Sequence, residues 1–118
     1  MKDDRMYLLH IRDALGNIRE YTTPGREAFF NDRKTQDAVI RNLEIIGEAV
    51  KHMSASLKAT HNTIAWKQIA GMRDRLIHDY FGVDLNLVWD VVASELPQLE
   101  RKTNQILGHP EKPTGPNS

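Results

Sequence analysis

The sequence predicts an all-α fold: an antiparallel helical bundle of four main helices, with a short extra helix between the first two. Two observations carry this prediction. Apolar residues recur at spacings of three and four nearly everywhere, which places them on one face of a helix. No segment shows the two-residue alternation of a half-buried strand, and no internal repeat is visible. The length of 118 residues fits a single core, because a chain of this size buries roughly two thirds of its unfolded surface.

The elements run in chain order. Asp3 or Asp4 can cap a first helix running to about Tyr21, with Leu8, Ile11, Leu15 and Ile18 on one face. Thr22-Thr23-Pro24-Gly25 breaks the pattern. Thr23 before Pro24 resembles a helix start, with proline at the first helical position of a short helix carrying Phe29 and Phe30. The clearest helix spans about Lys34 to Leu57, where Val39, Leu43, Ile46, Val50, Met53 and Leu57 recur at four, three, four, three and four. Ala38, Ile40, Ile45 and Gly47 widen that stripe, so it needs cover on two sides. After a loop at 58–63, Asn62 or Thr63 can cap a helix carrying Ile64, Trp66, Ile69, Met72, Leu76 and Ile77, which fades at Phe81-Gly82. Asp84 caps the last helix, whose face is Leu85, Val88, Val92, Leu96, Leu99 and Ile106; Pro97 should kink or split it. Residues 1–107 are expected to form one helical domain. Residues 108–118, with three prolines and two glycines, are expected to be a disordered tail.

Composition narrows the function. Hydrophobic residues make up 40% and charged residues 27%; sixteen basic groups balance sixteen acidic ones. A polybasic nucleic-acid binder relying on counterion release is thereby disfavoured, although a local phosphate site is not. There is no cysteine, which excludes disulfides, thiolate catalysis and Cys-type zinc sites. No apolar run is long enough for a membrane helix, and Met1–Arg5 is too acidic for a secretion signal. A cytoplasmic protein is expected. His10, His52, His61 and His109 show no pairing and no carboxylate at ligand spacing, so they read as surface or packing residues. No metal and no cofactor are expected.

One stretch stands apart. Gly71 to Phe81 packs Arg73, Asp74, Arg75, His78, Asp79 and Tyr80 around Leu76 and Ile77. A solvated helix face with local ion pairs is the plain reading. A functional reading starts from chemistry: arginine clamps phosphate oxygens with a planar fork, and histidine moves a proton near neutral pH. Metal-independent RNA cleavage needs no more than that. His78 would take the ribose 2′-hydroxyl proton and Arg73 would stabilise charge on the phosphoryl oxygens. DNA lacks that internal nucleophile. In a straight helix, however, His78 lies about 140° around from Arg73, whereas Arg73 and Tyr80 share a face roughly 10 Å apart. Either the helix bends or ends within the motif, or a second copy of the chain completes the site.

Arg73-x4-His78-x-Tyr80 resembles the R-x4-H-x-Y signature of HepT-like ribonuclease toxins, a branch of the HEPN superfamily. Flanking blocks fit as well. Arg41 to Ala49 is similar to the family's long-helix segment, and Trp66 to Arg73 to its approach to the motif. Tyr80-Phe81 with Val83 to Trp89 is similar to the family's segment just past the motif. Leu8 to Ile11 and Tyr21-Thr22 also fit, so the resemblance covers roughly residues 5–107. It implies a bundle that dimerises with both motifs at the interface, and Arg73 and His78 as catalytic residues acting on RNA, transfer RNA among the candidates. It further implies a toxin encoded beside an MntA-type minimal nucleotidyltransferase antitoxin, which transfers AMP to the motif tyrosine, here Tyr80. Bulk and negative charge at that position would oppose substrate phosphate.

Other residues are candidates for supporting roles. Asp79 can orient the motif and Arg75 can contact phosphate or the antitoxin. Glu48 and Asn42 lie beside the long helix's apolar stripe, and Glu48 can orient Arg73 across the bundle. Trp66 and Trp89 read as core anchors. Two rival functions remain at this level: a non-catalytic helical adaptor, and the substrate-binding subunit of a two-component nucleotidyltransferase.

Overall fold

The structure, a computed structural model, describes residues 3–78 and 84–108. Among the described residues every element is helical: α1 (Asp4–Tyr21), α2 (Arg26–Phe30), α3 (Arg33–His52), α4 (Ala55–Thr60), α5 (Trp66–His78), α6 (Leu85–Asp90) and α7 (Leu96–Leu107), with a π-helical stretch Val91–Glu95 joining α6 to α7. The fold is all-α and HEPN-like. No described helix is long and apolar enough to cross a membrane.

α1 begins where Asp3 accepts a hydrogen bond from the Met6 amide. The neighbouring Asp4 does different work. Its carboxylate accepts from the Ser54 amide at 2.8 Å and from the Ser54 hydroxyl at 2.6 Å, fastening the start of α1 to the end of α3. Further along, Asn17 donates to the Asn42 side chain at 3.1 Å. Thirteen residues up α1 thus correspond to twelve down α3, the register of an antiparallel pair. Leu8, Ile11, Leu15 and Ile18 are buried at this seam, as their spacing predicts, facing Val39, Leu43, Ile46 and Val50 of α3.

Two helix boundaries differ from the sequence expectation. Thr23 does not cap α2, because the Thr22 and Thr23 hydroxyls turn back to the Ile18 and Arg19 carbonyls and close α1 instead. Gly25, at φ +105°, occupies the cap position; this is a left-handed conformation that other residues rarely adopt. The long helix does not reach Leu57. Met53 turns extended, and the Ser54 hydroxyl accepts from the Leu57 amide to start α4, while Lys58 reaches back to the Val50 carbonyl. α5 begins at Trp66 rather than at Thr63, after a turn fixed by the Trp66 indole donating to the His61 carbonyl at 3.0 Å.

The last helix shows how Pro97 is absorbed. The Leu96 amide bonds to the Val91 carbonyl, five residues back, and the dihedrals stay helical on both sides. The extra residue in that turn rotates everything beyond it. A regular helix would bury Val92 and Ile106; the observed buried set is Val88, Val91, Leu96, Leu99, Thr103 and Leu107, with a spacing of five across the π turn. Gly108, at φ +77°, terminates α7, and residues 109–118 of the expected tail lie outside the described residues.

α1 packs on α3 and α7, and α3 packs on α5. Phe29 of α2 is fully buried and meets Trp89 of α6 at 5.2 Å, which ties α2 to α6. Arg19 of α1 pairs with Glu100 of α7.

Two consequences are measurable. Asp32 caps α3, accepting from the Lys34 amide and the Thr35 hydroxyl, and the Thr35 bond holds its carboxyl below the ordinary carboxylate range. A depressed folded-state pKa means the stabilisation is complete above the unfolded value, near pH 4, and is lost as pH falls through the lower folded value. Acid titration of the melting temperature should therefore show a steeper fall below about pH 4 in the wild type than in Asp32→Ala. Second, Gly71 is the sixth of thirteen residues in α5 and, apart from its chain neighbours and its own helix's backbone, no described atom lies within 4 Å of where a Cβ would stand. Gly71→Ala should raise stability by about 0.5–1 kcal/mol in urea denaturation, the usual cost of glycine within a helix.

Candidate functional site

α5 carries the motif that the sequence singled out. Trp66 and Ile69 of its first half are buried in the core. Its second half is restrained by Lys51, whose ammonium lies 3.1 Å from the Asp74 carboxylate. Both side chains are more than 40% exposed, so the pair fixes position more than it adds stability, about 1 kcal/mol at most.

Arg73 and His78 both stand on α5, five residues apart, and are placed by their backbone positions. That separation corresponds to about 7.5 Å along the axis and about 140° around it. The structure therefore brings the two residues onto one helix but not onto one face of it. Arg75, between them, is exposed. Asp79 and Tyr80 lie outside the described residues.

The two supporting candidates on α3 have definite partners. Asn42 is buried; its amide donates to the Ala38 carbonyl at 2.8 Å while its oxygen accepts from Asn17. Both ends of this side chain thus serve the α1–α3 seam. Glu48 lies 2.7 Å from His52 Nε2. A carboxylate there requires that nitrogen to donate. The sequence reading overlooked this pair: Glu48 stands four residues before His52, the separation at which helix side chains meet.

The Glu48–His52 pair belongs to a larger cluster. The His52 ring stacks on Tyr7 at 5.7 Å and 18°, and His10 meets Tyr7 edge-on at 6.4 Å. These side chains line a shallow cleft of about 350 Å³ between α1 and α3, with Arg41 on its rim. Only the Glu48/His52 spacing could have hinted at it, because Tyr7 and His52 are joined by the antiparallel register of α1 and α3.

A deeper opening lies between α5 and the last helix. A cleft of about 490 Å³ is bounded by Gln68, Gly71, Met72 and Arg75 on α5 and by Leu87, Val91 and Glu95 across from them. A second cleft, of about 370 Å³, adjoins it past Ile69 and Glu95 and extends to Arg101 and Lys102. Together they form a trough beside the motif helix.

Comparison with known proteins supplies the family. The ribonuclease HepT-like family model matches residues 11–106. A protein of Thermococcus cleftensis named "Probable ribonuclease HepT" is 46% identical over 85% of this chain and 92% of its own length. A protein of Caldanaerobacter subterraneus named "Putative RNase" is 42% identical over 91% of this chain and 96% of its own. A protein of Methanocaldococcus jannaschii named "Gamma-glutamylcyclotransferase and putative RNase" is 45% identical over 94% of this chain, which spans half the length of that relative. No solved structure gives a significant match. The match runs through α1 to α7 and includes Arg73, His78 and Tyr80, and on this ground the chain belongs to the ribonuclease HepT-like family.

Proposed function

We propose that the protein is a metal-independent ribonuclease and the toxin half of a toxin–antitoxin pair. The observation that carries this reading is the R-x4-H motif standing on one helix, α5, in a chain of the ribonuclease HepT-like family.

The chemistry needs two groups and the substrate's own nucleophile. His78 accepts the proton of a ribose 2′-hydroxyl as that oxygen attacks the adjacent phosphorus. The bond from phosphorus to the 5′-oxygen breaks, leaving a 2′,3′-cyclic phosphate on one fragment. The departing 5′-oxygen takes a proton from a second imidazole, that of His78 in another copy of the chain. Arg73 holds the equatorial phosphoryl oxygens and opposes the charge that develops on them. The separation of about 140° between the two positions on α5 favours a homodimer, because a two-fold axis sets one protomer's arginine against its partner's histidine. Glu48 and Arg75 serve as supporting groups, Glu48 by orienting the arginine and Arg75 by meeting substrate phosphate; Asn42 and Asp79 are assigned positioning roles.

Regulation follows from Tyr80, two residues beyond His78. An MntA-type nucleotidyltransferase would transfer AMP from ATP to the phenolic oxygen, releasing pyrophosphate. The added phosphate and nucleoside would obstruct and repel the substrate backbone at the motif. The protein would act in the cytoplasm, where its RNA substrate and such a partner are found.

Purified protein free of antitoxin should cleave RNA in the presence of EDTA, and His78→Ala should lower the rate by about 100-fold or more, the usual weight of a general base. Equal residual cleavage by both, or a requirement for added metal, would overturn the mechanism. After co-expression with a cognate MntA-type nucleotidyltransferase, intact mass should rise by whole AMP units and Tyr80→Phe should abolish the rise. An unmodified mass in the wild type would remove this form of control.

A further inference from the structure

We infer that the cleft between α5 and the last helix is a nucleobase subsite, holding one unpaired base of the RNA strand beside the phosphate that is cut. The inference rests on the ribonuclease reading above and adds to it a place where sequence can be read.

The walls are apolar and recessed. Met72, Leu87, Val91 and the buried Ile69 supply them, and among the described residues the large exposed hydrophobics are Met6 and Tyr21, neither of which lies in the cleft. A slot whose apolar atoms lie below a polar rim accommodates a thin, flat group. The volume, about 490 Å³, is in the range of small-ligand sites.

The rim carries the groups that recognise a base. Gln68 offers an amide donor and acceptor, and Glu95 on the facing wall offers an acceptor for exocyclic amino groups. Gln68, Arg75 and Glu95 are all exposed at this edge. Arg75 precedes His78 by three residues, about 4.5 Å along α5, so a base seated here adjoins the motif. Beyond Ile69 and Glu95 the trough continues to Arg101 and Lys102. Its described charged groups are three cations and one carboxylate, in a chain whose net charge is zero. That local excess of positive charge lies where the neighbouring phosphates of a bound strand would run.

Two features of the backbone hold the slot open. Gly71 lines it, with no described atom near the position of a missing Cβ. Close helix packing therefore does not account for a glycine that weakens the helix; a side chain there would project into unoccupied space at the cleft. Val91 and Glu95, which form part of the far wall, are the two ends of the π-helical stretch. The extra residue of that turn sets the direction of Glu95 relative to Val91, and π turns recur at functional sites.

The test uses the full-length protein in two assays. In the first, a randomised RNA oligonucleotide pool is cleaved in EDTA and the new ends are sequenced. The wild type should prefer one base, or one class of base, at a position next to the cut. Gly71→Leu, which fills the slot, and Gln68→Ala, which removes a rim group, should each flatten that preference. In the second, anisotropy with a 2′-O-methyl version of the pool, which cannot be cleaved, should show Gly71→Leu raising Kd about tenfold, the scale of one lost base contact. Should Gly71→Leu fail to fold, the exposed Gln68→Ala carries the test. Cleavage with no base preference in the wild type, or with a preference that neither variant moves, overturns the subsite and leaves the ribonuclease reading standing. Absent cleavage, with binding of the 2′-O-methyl pool still weakened by Gly71→Leu, overturns the ribonuclease reading alone. If Gly71→Leu alters sedimentation of the protein while leaving RNA preference and affinity as in the wild type, the cleft is an interface between copies and the subsite is excluded.

Discussion

α3 must bury more of its circumference than one neighbouring helix can cover, and the arrangement of the bundle depends on that requirement. Its buried residues run from Ala49 through Val50, Val39 and Leu43 to Gly47, an arc of about 160° at 100° per residue. A typical amphipathic helix presents a stripe nearer 100°. α1 covers one part of the arc and α5 another. Specific polar contacts then fix each partner's register, Asp4 with Ser54 and Asn17 with Asn42 for α1, and Lys51 with Asp74 for α5. The motif helix is therefore seated by the apolar surface of α3, and the site inherits its position from the core.

The parts of the fold that were legible in the sequence are those where one local rule acts alone. The α1 stripe of Leu8, Ile11, Leu15 and Ile18 is regular helical spacing and is buried as read. The stripe on α3 behaves in the same way as far as Val50 and Met53. Structure and local pattern diverge where two rules compete for the same residues. Thr23 could begin one helix or close the preceding one, and the Arg19 carbonyl was the nearer partner. Ser54 lay inside a continuing apolar pattern, yet its hydroxyl capped a new helix once Asp4 had taken its amide. Pro97 marks a disruption in the sequence, but local rules do not show that a π turn absorbs it and moves the buried face from Val92 to Val91.

The candidate site divides along the same line. Arg73, His78 and Tyr80 are close in sequence, so their spacing was visible without any structure. Tyr7, His10 and His52 come together only through the α1–α3 register, and the cleft beside Gly71 exists only because the last helix faces α5 across a gap. Glycine in the middle of a helix was a signal available in the sequence. Its meaning depended on whether another backbone approached it, and no described atom does.

The two sides of α5 thus serve different ends. The side toward α3 is packed against that helix and tied to it by the Lys51–Asp74 pair. The side toward α6 and α7 is left underfilled, with a glycine where alanine would stabilise the helix and a π turn where a regular one would pack differently. If stability alone governed this face, the cheapest single change would be a methyl group at position 71. A helix that gives up stability only along the trough is arranged to keep a space beside its motif. An enzyme that positions a flexible strand for attack by its own hydroxyl needs such a space, because in-line geometry at phosphorus depends on holding the flanking nucleotide as well as the phosphate.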